Sequence, residues 1–384
     1  MVARYFLALA LGTALSSSLA SPAAATDLGT VEGVRREAIY FQAAPGGVAP
    51  LWLEALVTRP DGPREQQVRY PLALLSHGTP RPEDDRRRTS PLFSTATAIE
   101  FALRGWTVVT LIRRGYGLSQ GEFLEGTEPC NAQTDHRARA NVTVQDITEA
   151  TKGLSQLPYV DGSKLMLMGV STGGFGSLAA AAENPPGLQA VLNFGGGRGS
   201  TGPNTVCQPD RLVETFGQLG AAVKVPTLWV YAENDSFFAP ALAKRFVDAF
   251  GANGGKAQFV ALPAVGREGN ALFGAAAIDA WRSSVDQFLN ENRLANWAQP
   301  VAINPLPLAQ PPFAWDKSKA NVEEFERYRT SLAFEKALAF NRDGKVFWRN
   351  GFRTPEDAAK SVMEQCQASG TRCRLYAVNH TVVQ

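Results

Sequence analysis

The sequence predicts an α/β architecture: a mainly parallel, doubly wound sheet with helices on both faces, followed by a small α+β module. Three observations carry that expectation. Short β-rich runs alternate with helical patterns across residues 34–292, the spacing that parallel strands with helical crossovers require. Pro300, Pro305, Pro307, Pro311 and Pro312 then cluster where no regular helix can continue. Beyond them a hairpin turn, a capped helix start and a final strand fall within one compact stretch. The 384 residues thus divide into a removable leader over 1–25, a sheet domain over 26–296, a Pro-rich linker over 297–318 and a disulfide-containing module over 319–384.

Arg4, the Leu- and Ala-rich stretch 5–20 and the small residues Ala23-Ala24-Ala25 form a signal-peptide pattern, too short and Ser-rich for a membrane anchor. The mature chain is expected to be secreted or periplasmic. Residues 70–76 form an apolar strand that runs into His77-Gly78-Thr79-Pro80. Residues 90–104 read as one helix, with Ser90 as N-cap and Gly105 as its stop. A β-rich run over 106–112 follows, then a helix over 142–157 and a short buried strand over 165–168. An Ala-rich helix over 172–183 stops at Asn184-Pro185-Pro186. Residues 190–194, 227–232 and 257–262 supply further strands, with helices near 240–250 and 275–289. In the module, Val322, Phe325 and Leu332 recur at helical spacing, and strands 338–340 and 346–348 flank the turn Asp343-Gly344. Thr354-Pro355-Glu356-Asp357 opens a helix, because Thr caps, Pro fits the first turn and acids face the helix dipole. A last strand spans 374–378.

A hydrophobic fraction of 45% against 19% charged residues supports a sizeable core and excludes a disordered scaffold. The net charge is +2, and Arg86-Arg87-Arg88 is balanced by Glu83-Asp84-Asp85 in what reads as a solvated loop, so no basic stripe invites nucleic acid. After the leader no uninterrupted apolar segment reaches the ~18 residues of a membrane span. Of the four cysteines, Cys366 and Cys373 lie close enough to pair locally, which leaves Cys130 with Cys207. No histidine sits at zinc-ligand spacing from either pair, and no metal is expected. Trp106 and Trp229 lie in strands and read as core. Gly195-Gly196-Gly197-Arg198 lacks the Lys-Ser/Thr of a phosphate loop.

The sharpest motif is Gly169-Val170-Ser171-Thr172-Gly173, followed by Gly174, between a strand and a helix. In that context G-x-S-x-G forms a tight elbow that lifts the Ser171 hydroxyl above the sheet at a helix N-terminus. Acyl transfer also needs two backbone N–H groups for the oxyanion. One is expected from Thr172, after the nucleophile, and the other from Thr79, because Pro80 has no N–H. The side chain of His77 is expected to be buried and to hold its loop. Asp235, directly after a strand and beyond Ser171 in the chain, fits the order Ser…Asp…His, although an Asx turn is the plainer use of such a residue.

Together these pieces resemble the α/β-hydrolase fold, and more closely its secreted dienelactone hydrolase-like members, over residues 34–292. Arg114-Gly115-Tyr116-Gly117-Leu118-Ser119 resembles that fold's turn after the fourth strand, and residues 228–235 resemble its acid strand. The module with Cys366 and Cys373 is similar to a small domain attached to other secreted bacterial proteins. The resemblance implies hydrolysis of esters or similar small acyl substrates by a Ser-His-Asp triad, without metal or organic cofactor. It also implies a base His in the loop Gly266-Arg267-Glu268-Gly269-Asn270-Ala271-Leu272-Phe273, where this chain carries Asn270. Elsewhere there are only His77, His136 and His380. An amide accepts no proton near neutral pH, and loss of the triad His in a serine protease costs about 10⁶ in rate, or about 8 kcal/mol. Three readings follow. The chain is a former hydrolase that binds a ligand or retains slow catalysis; or it is active through a relocated base, for which His136 is the candidate despite reading as a solvated helix-start residue; or Asn270 is a change introduced into an ordinary hydrolase.

Overall fold

A computed structural model describes residues 24–31, 33–47, 49–62, 68–80, 82–126, 129–297, 308, 310–331, 335–379 and 381–383. In chain order its strands begin with β1 (Ala24–Val31), β2 (Val34–Ala43), β3 (Leu51–Pro60), β4 (Tyr70–Ser76), β5 (Thr107–Leu111), β6 (Val160–Val170) and β7 (Leu188–Phe194). A separate hairpin of β8 (Ser200–Gly202) and β9 (Thr205–Val206) precedes β10 (Thr227–Ala232) and β11 (Ala257–Leu262). The large sheet has the order β1-β2-β3-β5-β4-β6-β7-β10-β11. From β5 to β11 every neighbouring pair is parallel, whereas β1, β2 and β3 join antiparallel and β3 meets β5 antiparallel. The chemistry of the strands follows this division. β2 alternates buried Ile39 and Phe41 with less buried Tyr40 and exposed Gln42, while β5 and β10 are buried at every position.

Among the described residues eight helices accompany the sheet: α1 (Glu83–Arg88), α2 (Thr95–Ala102), α3 (His136–Arg139), α4 (Asn141–Leu154), α5 (Thr172–Ala181), α6 (Pro209–Ala222), α7 (Pro240–Ala252) and α8 (Ile278–Glu291). One face of the sheet packs Phe175, Phe216, Trp229, Phe246 and Phe250 from the α4–α7 side, and the other packs Phe101, Trp106, Phe194, Phe273 and Trp281 with α2 and α8. Trp106 and Trp229 are fully buried, as expected of core residues. Some expectations need correction. Residues 90–104 are not one helix: Ser90 caps a 3₁₀ turn at Pro91–Ser94, and α2 starts separately at Thr95. At the junction Ser94 leaves helical geometry with φ −99° and ψ 14°, and Thr95 N donates to Leu92 O in the i→i+3 pattern of a 3₁₀ turn. The charged run 83–88 is a short exposed helix rather than a loop, with its acids in the first turn and its arginines in the last.

The C-terminal module holds α9 (Lys319–Thr330), β12 (Ala337–Asn341), β13 (Val346–Arg349), α10 (Pro355–Gln367), β14 (Cys373–Val378) and β15 (Thr381–Val382), with its antiparallel sheet in the order β13-β12-β14-β15. The hairpin turn is pinned by Asn341 Oδ1, which accepts from Asp343 N and Lys345 N. The Thr354 hydroxyl caps α10 by accepting from Asp357 N at 3.1 Å. Of the expected row in α9 Phe325 is buried but Val322 is exposed, and the buried face runs through Asn321, Phe325 and Tyr328. Leu332, His380, residues 298–307 and 309 of the expected linker, and residues 1–23 of the expected leader lie outside the described residues, while the last two leader positions, Ala24 and Ala25, fall in β1. The disulfides Cys130–Cys207 and Cys366–Cys373 are both formed. Among the described residues no helix is long and apolar enough to cross a membrane.

The module is fastened to the large sheet by Arg353. Its guanidinium forks onto both oxygens of Glu54 in β3, with one arm at 2.8 Å, and also donates to Thr89 O. Glu54 is nearly buried and Arg353 about 29% exposed in its side chain. Arg353→Ala leaves that carboxylate without its cation. It should therefore cost about 2 kcal/mol, between exposed and fully buried pairs. Arg87→Ala, at an exposed pair, should change stability by less than ~0.5 kcal/mol in the same denaturant titration. Equal effects would contradict the fastening role.

Candidate active site

The end of β6 turns into α5 through one residue. Ser171 has φ 55° and ψ −123°, a left-handed conformation that costs a non-glycine residue about 1–3 kcal/mol. Its neighbours leave no room for side chains. A Cβ at Gly169 would collide with the Gly173 backbone, and one at Gly173 with the carbonyls of Ser76 and His77. The strained backbone is held on both sides: Ser171 N donates to Phe194 O at 3.0 Å, and Ser171 O accepts from Phe175 N and Gly197 N at 3.1 Å each. Gly78 lies against Ser171, since a Cβ there would stand 3.0 Å from the serine Cβ. This brings the loop carrying Thr79 beside the elbow carrying Thr172.

Asp235 follows β10 and is 2% exposed. Its Oδ1 accepts from Phe237 N at 2.7 Å and Phe238 N at 2.9 Å, so the Asx turn is real. Its Oδ2 accepts from Asn270 Nδ2 at 2.8 Å. Asn270 uses its second amide proton on Gly195 O at 3.0 Å. Both partners are acceptors, so the NH₂ end of the amide must face them. Gly195 makes room for this, because a Cβ at that residue would lie 2.7 Å from Asn270 Nδ2. The loop is clamped by Glu268, which accepts from Asn270 N, Ser236 N and the Ser236 hydroxyl. Burial pushes the Asp235 carboxyl up to about 6, against the lowering effect of the Asn270 amide and the two backbone donors. Among the described residues no side-chain hydrogen bond is made by Ser171 Oγ, and the residue bonded to Asp235 Oδ2 is an amide rather than a base.

Behind Thr79 and Thr172 lies a buried polar network that the sequence did not announce. Arg113 is fully buried and grips Glu125 through Nε at 2.7 Å and Nη2 at 3.0 Å. Its Nη1 donates to Ser76 Oγ and His77 O, and its Nη2 also approaches Thr172 Oγ1 at 3.5 Å. Glu125 further accepts from the hydroxyls of Tyr116, Thr79 and Thr143 at 2.8, 3.1 and 2.6 Å. Burial alone would raise the Glu125 carboxyl, but the charge and hydrogen bonds of Arg113 outweigh it and hold the group well below the usual carboxylate range.

The two described histidines do not meet Ser171. His77 accepts from Arg113 N through Nε2 and donates through Nδ1 to Gly78 O at 2.7 Å, the loop-holding role expected of it. His136 is not solvated as the sequence suggests. It is buried beside the Cys130–Cys207 bridge, where Nε2 faces Cys207 O at 3.1 Å and Nδ1 has no partner among the described residues. It packs inward because Asp135, not His136, occupies the exposed N-cap position of α3. Arg198 is also buried, over the Phe175 ring, with no ion pair among the described residues; burial lowers its guanidinium to about 10.

The profile of the dienelactone hydrolase family matches residues 97–291, a span that includes Ser171, Asp235 and Asn270. No curated protein sequence matches the chain. Among solved structures, the acetyl xylan esterase of Paenibacillus sp. R4 superposes with a TM-score of 0.50 at 14% identity, covering 70% of this chain and 88% of that one. Acetyl xylan esterase 1 of Thermoanaerobacterium sp. JW/SL YS485 gives 0.47 at 19% identity, covering 71% and 89%. At 14% identity the first of these likenesses is one of fold alone.

The histidines carry a pH consequence. Burial depresses His77 to about 3 and His136 to about 4, against 6.5 for a free imidazole. Below about 6.5 the unfolded chain takes up protons that the folded chain refuses. The stability these groups contribute is complete above that pH and is lost as pH falls towards 4 and 3. Asp235 has the opposite sign, since its raised folded value favours the folded state as pH drops through about 6. Imidazole NMR should show both His77 and His136 neutral at pH 5.5. An imidazolium at either position there would refute the assignment.

Proposed function

Because the chain belongs to the dienelactone hydrolase family, we propose that it is a serine hydrolase of carboxylic esters or related small acyl substrates, with turnover reduced by the amide at position 270. The observation that carries this reading is the coexistence of the Ser171 elbow with an acid, Asp235, still bonded to the residue in the base position. In this reading Ser171 Oγ attacks the acyl carbonyl, and the oxyanion that forms is received by the backbone N–H groups of Thr172 and Thr79. The Ser171 proton then lacks an acceptor. Asn270 holds Asp235 as a histidine would, but its amide has no basic lone pair. Oxyanion stabilisation and substrate binding alone leave about 10³–10⁴ over water in serine proteases stripped of their triad. Slow hydrolysis of activated esters is therefore expected, without metal or organic cofactor.

His136 does not fit the part of a relocated base, because its Nε2 is spent on Cys207 O and its Nδ1 is buried. A second reading, a catalytically inactive binding protein, is favoured by one feature: both Asn270 amide protons are satisfied within the site, so the residue suits its position as it stands. The two disulfides suit an oxidising compartment, in keeping with a secreted or periplasmic protein.

Asn270→His separates these readings. It should place an imidazole N–H on Asp235 and raise ester hydrolysis at least ~10²-fold, the lower end of general-base contributions. The gain should vanish when Ser171→Ala is added. A folded Asn270→His protein that hydrolyses short acyl esters no faster than wild type supports the binding-protein reading instead. Fast wild-type hydrolysis abolished by His136→Ala would restore the relocated base.

A further inference from the structure

We propose that Tyr116 and Glu125 are positioning residues that set the spacing of the Thr79 and Thr172 backbone donors through a directed chain of hydroxyls. The inference rests on the functional reading above, since it concerns the same oxyanion site. Its geometric basis is the contact between the two side chains that flank the site: Thr79 Oγ1 and Thr172 Oγ1 are 2.7 Å apart although 93 positions separate them in sequence. Proton bookkeeping gives the chain a direction. Glu125 accepts only, so Tyr116 donates its single proton to Glu125 Oε2. Thr79 Oγ1 lies 2.7 Å from the Tyr116 hydroxyl and 3.1 Å from Glu125 Oε2, and its one proton goes to that side. Thr172 must then donate to Thr79, while its oxygen faces Arg113 Nη2.

Two consequences follow. Both threonine hydroxyl protons are used within this chain, so backbone N–H groups remain to receive an oxyanion. The loop after β4 and the N-terminus of α5 are also tied to each other and to one buried ion pair. Glu125 itself does not replace the missing base. Arg113, Tyr116, Thr79 and Thr143 occupy its oxygens, and a carboxylate so strongly held has little basicity at neutral pH.

The test uses Tyr116→Phe and Thr79→Val in the full chain, each in wild-type and Asn270→His backgrounds, with an alkyl boronic acid as the probe of tetrahedral-adduct binding. Removing an oxyanion donor outright costs about 10²–10³ in kcat. Displacing one should cost about 10-fold or more in kcat, with KM nearly unchanged and boronate affinity falling in parallel. Thr79→Ser should recover most of what Thr79→Val loses, because the hydroxyl chain is restored. If esters are hydrolysed but folded Tyr116→Phe and Thr79→Val change neither kcat nor boronate affinity, the clamp is wrong and the hydrolase reading stands. If neither background hydrolyses esters yet boronate binding still depends on Tyr116, the clamp stands and the hydrolase reading falls. Wild-type boronate binding no tighter than that of Ser171→Ala overturns both.

Discussion

The site depends on one constraint: a serine held at positive φ where a buried parallel strand gives way to a helix. That conformation is unfavourable for Ser171 taken alone. It persists because Phe194 O, Gly197 N and Phe175 N fix its peptide groups, and because glycines at 169 and 173 let β6, β4 and α5 approach within backbone contact. The close approach of strand ends delivers everything else. Gly78 brings in the loop after β4, Gly195 opens the space used by Asn270, and the end of β10 presents Asp235.

Around this elbow the electrostatics are uneven. The Thr79 and Thr172 side is backed by a buried Arg113–Glu125 pair in which every short contact is a charge-assisted hydrogen bond or a hydroxyl bonded to a carboxylate. Such a pair often adds little to net stability, because desolvation offsets much of the attraction, but its fixed directions order the groups attached to it. The opposite side holds a carboxyl whose affinity for protons is raised by burial and which faces an amide. A histidine there would supply a proton acceptor and a counter-charge during reaction; asparagine supplies neither.

Much of this was legible in the sequence where the signal is local. Gly169 to Gly174 encode the elbow within six residues, and β4, β10 and β11 are found at the bounds that their apolar runs indicate. The antiparallel edge was less legible. In β2 the run Arg35-Arg36-Glu37 breaks the apolar alternation, and pairing with β3 rather than local preference makes it a strand. The burial of His136 was hidden because it depends on a bridge to Cys207, more than seventy positions away. The Arg113–Glu125 network was hidden for the same reason. Its members come from the ends of β4 and β5, a loop, α4 and α5, and no periodicity links them.

The Cys130–Cys207 bridge encloses β6, the elbow, α5 and β7 in one covalent ring. A protease that cut one exposed peptide bond within that ring, for example near Asn184 or Asn204, would leave both fragments joined. The strands that carry Ser171 would keep their neighbours in the sheet, since the ends of the ring remain tied beside α3 and α6. Such tolerance of a single nick protects the stretch that carries the Ser171 elbow.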